Sequence, residues 1–257
     1  MNKFIKIREV RGKLLSGKVS IGSWMQIPNA SVAEILGHSG YDWVAVDMEH
    51  GSITTNQLPD LFRALELGGT LPLVRLAEGT AKECKSALDA GASGVIIPMI
   101  ETAEQLKSVR DACCWPPSGS RGVGFSRANL FGGRFDEYCQ ESQEPLIVAM
   151  IENIKALNEL EDIVRVKGLD AIMIGPYDLS ASLGKVGNFN DKDFARVKES
   201  IINIAKKNHM PCGLHIVEPS KKALSDKILE GYQFLAYSMD SVFMRDAFSH
   251  PLKGEIL

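Results

Sequence analysis

The sequence is short of several things, and each shortage excludes a class of protein. Only five of its 257 residues are cysteines (Cys84, Cys113, Cys114, Cys139 and Cys212). The number is odd and no two stand as CxxC, so neither a disulfide framework nor a structural zinc site is expected. Reduced thiols in a cytoplasmic setting are the expectation instead. No stretch approaches the ~20 uninterrupted apolar residues of a membrane span. The basic start, MNKFIKIREVRGKLLSGK, lacks the apolar segment of an export signal. Neither sign of charge dominates: 29 Lys and Arg stand against 32 Asp and Glu, a formal net charge of −3. That balance excludes a nucleic-acid binder driven by bulk charge, although a local basic patch is compatible with it. Low-complexity runs and Pro/Gly/Ser linkers are missing, so nothing marks a domain boundary. No GxGxxG follows the first apolar run, which removes the dinucleotide-binding open sheet.

What is present is enough apolar material, 45% of residues, to bury a sizeable core. It comes in short runs: VSIGSW (19–24), YDWVAVDME (41–49), LPLVRL (71–76), GVIIPMI (94–100), PLIVAMIE (145–152), DAIMIG (170–175), CGLHIV (212–217) and GYQFLAY (231–237). Most are continuously apolar, as strands covered on both faces of a parallel sheet read. Helical patterns lie between them. Ser31-Val-Ala-Glu34, Thr80-Ala-Lys-Glu83 and Thr102-Ala-Glu-Gln105 each fit a capping box. Gly40 and Gly91 stand where a helix gives way to a strand. Eight strand–helix alternations in this length predict an α/β fold, a single (β/α)₈ barrel over 1–257. One connection, 101–144, is outsized. After a helix it carries PPSGSRGVGFSRANLFGG, and a loop that long is expected to be functional or disordered.

In such a barrel, chemistry sits where the strands end. Polar residues interrupt the apolar runs there: Asp47, Glu49 and His50 after the second, Arg75 in the third, Glu152 after the fifth, and Asp178 after the sixth. His215 lies within the seventh. Charged residues are rarely buried unless paired or ligating. Glu152 and Asp178, from neighbouring strands, form a hard oxygen pair suited to Mg²⁺ or Mn²⁺, with Co²⁺ as a further candidate. Their alternative is a helix-start role for each. Arg75 can offer a planar fork to a carboxylate, enolate or carbonyl oxygen, or pair with Glu49 or Asp47 inside the barrel. Three residues separate Asp47 from His50, a spacing at which a carboxylate can polarise an imidazole as general base, or hold it structurally. His38, His209 and His250 sit in helix-end or tail contexts and read as inert. His215 is either a satisfied core histidine or a pocket residue. GPYDLS (175–180) leaves a strand and opens a helix; the amides of Tyr177 and Asp178 would cradle a substrate carboxylate, with Ser180 either a further substrate contact or no more than a first-turn hydroxyl.

These segments together resemble the HpcH/HpaI aldolase family of metal-dependent 2-oxo-acid aldolases. The stretches that carry the resemblance are DWVAVDMEH (42–50), LPLVRL (71–76), GASGVIIPMIETAEQ (91–105), GSRGVGFSRA (119–128), IEN from Ile151, and GLDAIMIGPYDLSASLG (168–184). They span most of the chain. The resemblance implies a barrel of the phosphoenolpyruvate/pyruvate type. It implies Glu152 and Asp178 as metal ligands, Arg75 as the pyruvate-side cation, His50 with Asp47 as the acid–base pair, and Trp24 as a pocket wall. It further implies a homo-oligomer, commonly a hexamer, with the last helix exchanged between neighbours. Two positions depart from the family habit: Met150 stands where glutamine is frequent, and His215 where an aliphatic side chain is. Both suggest a pocket retuned for another substrate or a decayed activity. The expected reaction is reversible cleavage of a 4-hydroxy-2-oxo acid to pyruvate and an aldehyde. His50 takes the 4-hydroxyl proton, and the metal and Arg75 stabilise the enolate. No lysine ends these runs in a position to form a Schiff base. The rival expectations are a citrate-lyase-like or oxaloacetate-decarboxylating enzyme and a barrel that binds an oxo acid without turnover. The aldehyde half is expected to carry a carboxylate, a hydroxyl chain or another anion to meet His215. Neither a nucleic acid nor a membrane is an expected partner.

Overall fold

The eight apolar runs become eight strands: β1 (Ser20–Met25), β2 (Trp43–Asp47), β3 (Leu71–Arg75), β4 (Gly94–Ile97), β5 (Leu146–Ile151), β6 (Ala171–Ile174), β7 (Cys212–Ile216) and β8 (Phe234–Met239). In the computed structural model, which describes residues 2–248, each strand pairs in parallel with its sequence neighbours. β8 pairs back onto β1, which closes the barrel. The (β/α)₈ expectation holds. Strands buried on both faces cannot alternate apolar with polar, and that is why their sequences run continuously hydrophobic.

Helices α1 (Lys3–Leu15), α2 (Ala30–Gly37), α3 (Leu58–Leu67), α4 (Ala81–Asp89), α5 (Ala103–Cys113), α6 (Phe135–Glu141), α7 (Leu160–Ile163), α8 (Pro176–Ser182), α9 (Lys192–Lys207), α10 (Lys221–Glu230) and α11 (Asp240–Ala247) complete the order. Their starts correct the capping expectations in detail. Asn29, not Ser31, caps α2, its Oδ1 accepting from the amides of Ser31 and Val32. Thr80 and Thr102 do cap α4 and α5. The reciprocal half of each box is displaced, however. Glu83 accepts from the Glu78 amide at 2.7 Å and Gln105 from the Glu101 amide at 2.9 Å.

Two cores result from the period of two along each strand. Outward residues such as Val44, Val46, Val74, Val95, Ile97, Ile147 and Ile172 pack under the helices. Inward residues fill the lumen: Trp43 and Ala45, Leu71 and Leu73, Ile96, Leu146, Val148 and Met150, Ala171 and Met173, Phe234 and Ala236. Trp43 and Phe234 stack with centroids 4.2 Å apart. Gly22 gives them room, since a Cβ there would lie 2.1 Å from the Trp43 ring. Ile7, Val10 and Leu14 of α1 join this lumen cluster and close the barrel at the N-terminal ends of the strands. The sequence had shown no role for α1.

The long connection folds at that same end. Arg127 donates to the Ala90 carbonyl at 3.0 Å and to Glu66 at 3.1 Å, at the ends of α4 and α3. Buried Arg121 donates to the Tyr138 hydroxyl at 2.9 Å. The segment after α5 is therefore remote from the C-terminal strand ends of its own barrel, and its exposed apolar residues are Val123, Phe125, Leu130 and Phe131. α11 starts on its own barrel, where Asp240 accepts from the amides of Gln26 and Ile27, both at 2.9 Å. His250 and the continuation in which an exchanged last helix was expected, 249–257, lie outside the described residues.

Candidate active site

The parity that fills the lumen also selects the site. Trp43 and Ala45 point inward, so Asp47 does; Leu71 and Leu73 bring Arg75 inward; Leu146, Val148 and Met150 bring Glu152; and His215 shares the lumen face of β7. At the C-terminal ends of the strands these side chains surround a cavity of about 320 Å³. Trp24, His50, Arg75, Met150, Glu152, Tyr177, Asp178 and His215 line it, together with Gln26, Met173, Val217 and Met239. A pocket of that size suits a small metabolite. Gln26 and Met239 were not singled out from sequence. Lumen parity on β1 would have found Gln26, whereas Met239 falls out of step with Phe234 and Ala236 because β8 shifts register against β1 and Ser238 takes a positive φ.

Asp47 and Arg75 are opposite one another in the β2–β3 register. Arg75 Nε donates to Asp47 Oδ1 at 2.9 Å and Nη2 to Oδ2 at 2.6 Å, a bidentate pair buried in the barrel. Arg75 Nη1 lies 2.9 Å from Glu49 Oε2. Asp47 also accepts from the Glu49 and His50 amides and from the Gln26 side chain at 3.0 Å. Burial pushes the Asp47 carboxyl up, but the Arg75 hydrogen bonds and charge outweigh this and hold it below the ordinary carboxylate range. This corrects the expected Asp47–His50 dyad. Both Asp47 oxygens are already committed, and its link to His50 runs through the backbone amide at 3.2 Å, not the imidazole. Of the two readings of Arg75, the barrel-lining ion pair with Asp47 and Glu49 is formed. At most three of its five N–H groups are engaged in these pairs, and it still lines the cavity. His50 is exposed at the cavity rim.

Glu152 is 1% exposed. Its Oε1 accepts from the Met99 amide at 2.7 Å, and among the described residues Oε2 has no hydrogen-bond donor. Burial first, then the nearby carboxylates of Glu49 and Asp178, push its carboxyl up to about 7, against the Met99 bond and Arg75. Glycine at 175 makes this placement possible: a Cβ there would stand 2.3 Å from Glu152 Oε2. Asp178 is exposed in the first turn of α8. The two predicted ligands thus share a wall of the cavity. They fit a hard cation, since both donors are carboxylate oxygens and the buried one lacks a neutralising partner. Among the described residues no third His, Cys, Asp or Glu converges with them, so substrate and water would fill the remaining positions.

Ser180 is a further correction. Its hydroxyl is buried, donates to the Tyr177 carbonyl at 2.7 Å and accepts from the Gly187 amide at 2.9 Å. It holds the α8 turn together and does not reach the cavity. His215 answers both sequence alternatives at once. Its Nε2 is 3.1 Å from the Ser238 carbonyl oxygen, its ring stacks on Trp24 at 4.9 Å, and it lines the cavity. Burial, above all, depresses its pKa to about 4. His38 and His209 do sit at helix ends, away from the cavity.

Comparison with known proteins agrees with this fold. The sequence matches the description of the HpcH/HpaI aldolase/citrate lyase family over residues 20–247. It is 37% identical over 237 residues to a 2-keto-3-deoxy-L-rhamnonate aldolase of Salmonella gallinarum, covering 91% of this chain and 88% of the relative. Among solved structures, an HpcH/HpaI aldolase/citrate lyase family protein from Burkholderia cenocepacia superposes with a TM-score of 0.87 at 29% identity, covering 93% of this chain and 95% of the other. An HpcH/HpaI aldolase from Desulfitobacterium hafniense superposes with a TM-score of 0.82 at 27% identity, covering 92% of each.

Proposed function

The chain belongs to the HpcH/HpaI aldolase/citrate lyase family and is a carbon–carbon lyase, and from that premise we propose that its cavity cleaves a 4-hydroxy-2-oxo acid reversibly to pyruvate and an aldehyde with the help of a divalent cation. The observation that carries the reading is Glu152, a buried carboxylate with one oxygen pinned by a backbone amide and the other free of protein donors, beside Asp178. These two residues would hold the cation, Mg²⁺, Mn²⁺ or Co²⁺. Bound there, it supplies Lewis-acid polarisation of an oxo acid's oxygens. Arg75, fixed by Asp47, directs its remaining N–H groups at negative charge gathering on the 2-oxo oxygen. A cation already locked by a carboxylate needs no reorganisation when that charge develops. Asp47 is thus a positioning residue for Arg75. His50, exposed at the rim and near Glu49, takes the proton of the 4-hydroxyl. Tyr177 and the amides opening α8 meet the substrate carboxylate, and Trp24 and Met150 form the floor. No lysine lines the cavity among the described residues, which favours this route over a Schiff base.

We read 1–257 as one barrel domain. The exposed apolar residues Val123, Phe125, Leu130 and Phe131 support a homo-oligomer, for which a hexamer is the proposed form. Five free cysteines support a cytoplasmic location, and no described helix is long and apolar enough to cross a membrane. The test is a screen of 4-hydroxy-2-oxo acids for pyruvate release. EDTA should abolish release and added Mg²⁺, Mn²⁺ or Co²⁺ restore it. Turnover that survives exhaustive chelation, or inactivation by borohydride with pyruvate, overturns the metal-assisted reading.

A further inference from the structure

His215 is the one imidazole in the cavity wall whose hydrogen-bonding state the fold dictates. Its Nε2 faces the Ser238 carbonyl oxygen at 3.1 Å. A carbonyl oxygen only accepts, so Nε2 must carry the hydrogen, and in the neutral ring Nδ1 is left as a lone-pair acceptor. The neutral ring is the relevant one. Burial, with the Arg75 cation behind it, lowers the pKa to about 4 against the opposing Ser238 bond and the Asp47 charge. The ring lies within 20° of parallel to Trp24, and a 180° flip in that plane would set a ring carbon against the Ser238 oxygen, so the hydrogen bond fixes which way it faces. Nδ1 has no protein partner among the described residues, and it is not among the buried polar atoms left without one. It therefore opens on the cavity, whose lining includes the apolar Met150, Met173, Val217 and Met239 as well as the Arg75 cation.

We propose that the aldehyde-derived half of the substrate carries a neutral hydroxyl, and that His215 selects it by accepting that hydroxyl's hydrogen bond at Nδ1. This rests on the aldolase reading above and narrows it. A hydroxyl satisfies the lone pair. An alkyl group leaves the acceptor unpaired in an apolar wall, and a carboxylate sets lone pair against lone pair. The sequence alone allowed an anion here; a ring that donates through Nε2 to Ser238 and keeps a lone pair at Nδ1 favours a hydroxyl over an anion at that atom.

The test uses three two-carbon aldehydes that differ at one position: glycolaldehyde, acetaldehyde and glyoxylate. Each is condensed with pyruvate by the metal-loaded enzyme, and kcat/KM is compared. The wild type should favour glycolaldehyde over both others by about tenfold or more, the loss expected for one unmade hydrogen bond. His215→Leu should bring the glycolaldehyde-to-acetaldehyde ratio to within about twofold of unity, and His215→Gln, which restores an acceptor, should recover part of it. A ratio unchanged in the leucine variant, or a wild type that prefers glyoxylate, overturns the proposal. A wild-type ratio below about threefold does so by itself, so a leucine variant that fails to fold gives no shelter. Proton exchange at the pyruvate methyl separates the two levels. Exchange and condensation with a flat ratio sink the His215 assignment alone, whereas absence of both sinks the aldolase reading and this proposal with it.

Discussion

The two mouths of the barrel are built from the same strands and end differently. At the N-terminal mouth the lumen is closed by Ile7, Val10 and Leu14 of α1, over a layer that contains Trp43, Leu71, Leu146 and Phe234. Its charges are paired across the surface: Arg11 with Asp170 at 2.6 Å and Lys13 with Asp42 at 2.5 Å. At the C-terminal mouth the same inward positions carry Asp47, Arg75 and, just past β5, Glu152, around an open cavity. One end spends its inward positions on packing and the other on chemistry. The contrast teaches that lumen parity, more than residue type, decides which end a side chain serves.

The sharpest way to break the contrast is at its chemical end. Glu152→Gln keeps the shape and removes the charge, so kcat/KM should fall by about 10²–10³-fold or more while the denaturation midpoint stays near wild type. Arg75→Ala should fall as far but also lose about 3–5 kcal/mol of stability, because Asp47 is left buried without its cation. Equal stability of the two variants would show that the Asp47–Arg75 pair carries no structural load. At the packing end, Leu14→Ala leaves a gap under the lumen. It should cost about 2–4 kcal/mol in urea denaturation with KM unaltered. A changed KM would mean that the two mouths are coupled.

A pH experiment sharpens the contrast further. His215 is held neutral in the native chain, with its pKa at about 4 against about 6.5 in an unfolded chain. Its contribution is therefore fully present above pH 6.5 and is lost progressively as pH falls from there to 4, because in that window only the unfolded form gains the proton; below 4 the native ring gains it too and the loss is complete. Between pH 7 and pH 4.5 the wild type should lose about 2 kcal/mol more than His215→Leu, read as the difference in denaturation midpoints. The smallest effect belongs to the outer ring: Thr80→Ala removes the cap of α4 and should cost about 1 kcal/mol with unaltered kinetics.

Most of the barrel was legible because double-sided burial writes itself into a sequence as continuous apolar runs, and Thr80 and Thr102 announced their helices. What misled was linear distance. Three residues separate Asp47 from His50, so the chain suggested a dyad. The register that sets Asp47 against Arg75, 28 positions away, decides its partner instead. Asn29 and Ser31 are both able caps two residues apart, and only the extended backbone at Asn29 chooses between them. Ser180 was left between a substrate contact and a first-turn hydroxyl because the turn through Gly187 that consumes it cannot be seen in one dimension. His215 was left open from the sequence because its answer lies in a carbonyl 23 residues downstream.

Gly175 shows how narrow the tolerance of such a site is. The space that its missing side chain leaves is the space in which the Glu152 carboxylate stands, with 2.3 Å between that oxygen and the nearest carbon a larger residue would add. An alanine there would behave as a resident blocker one methyl in size, attached to the backbone and impossible to wash out. It would leave every other residue of the cavity wall unchanged and still compete with the acid for its own seat. The fate of the acid is thus set by a neighbour that has no side chain at all.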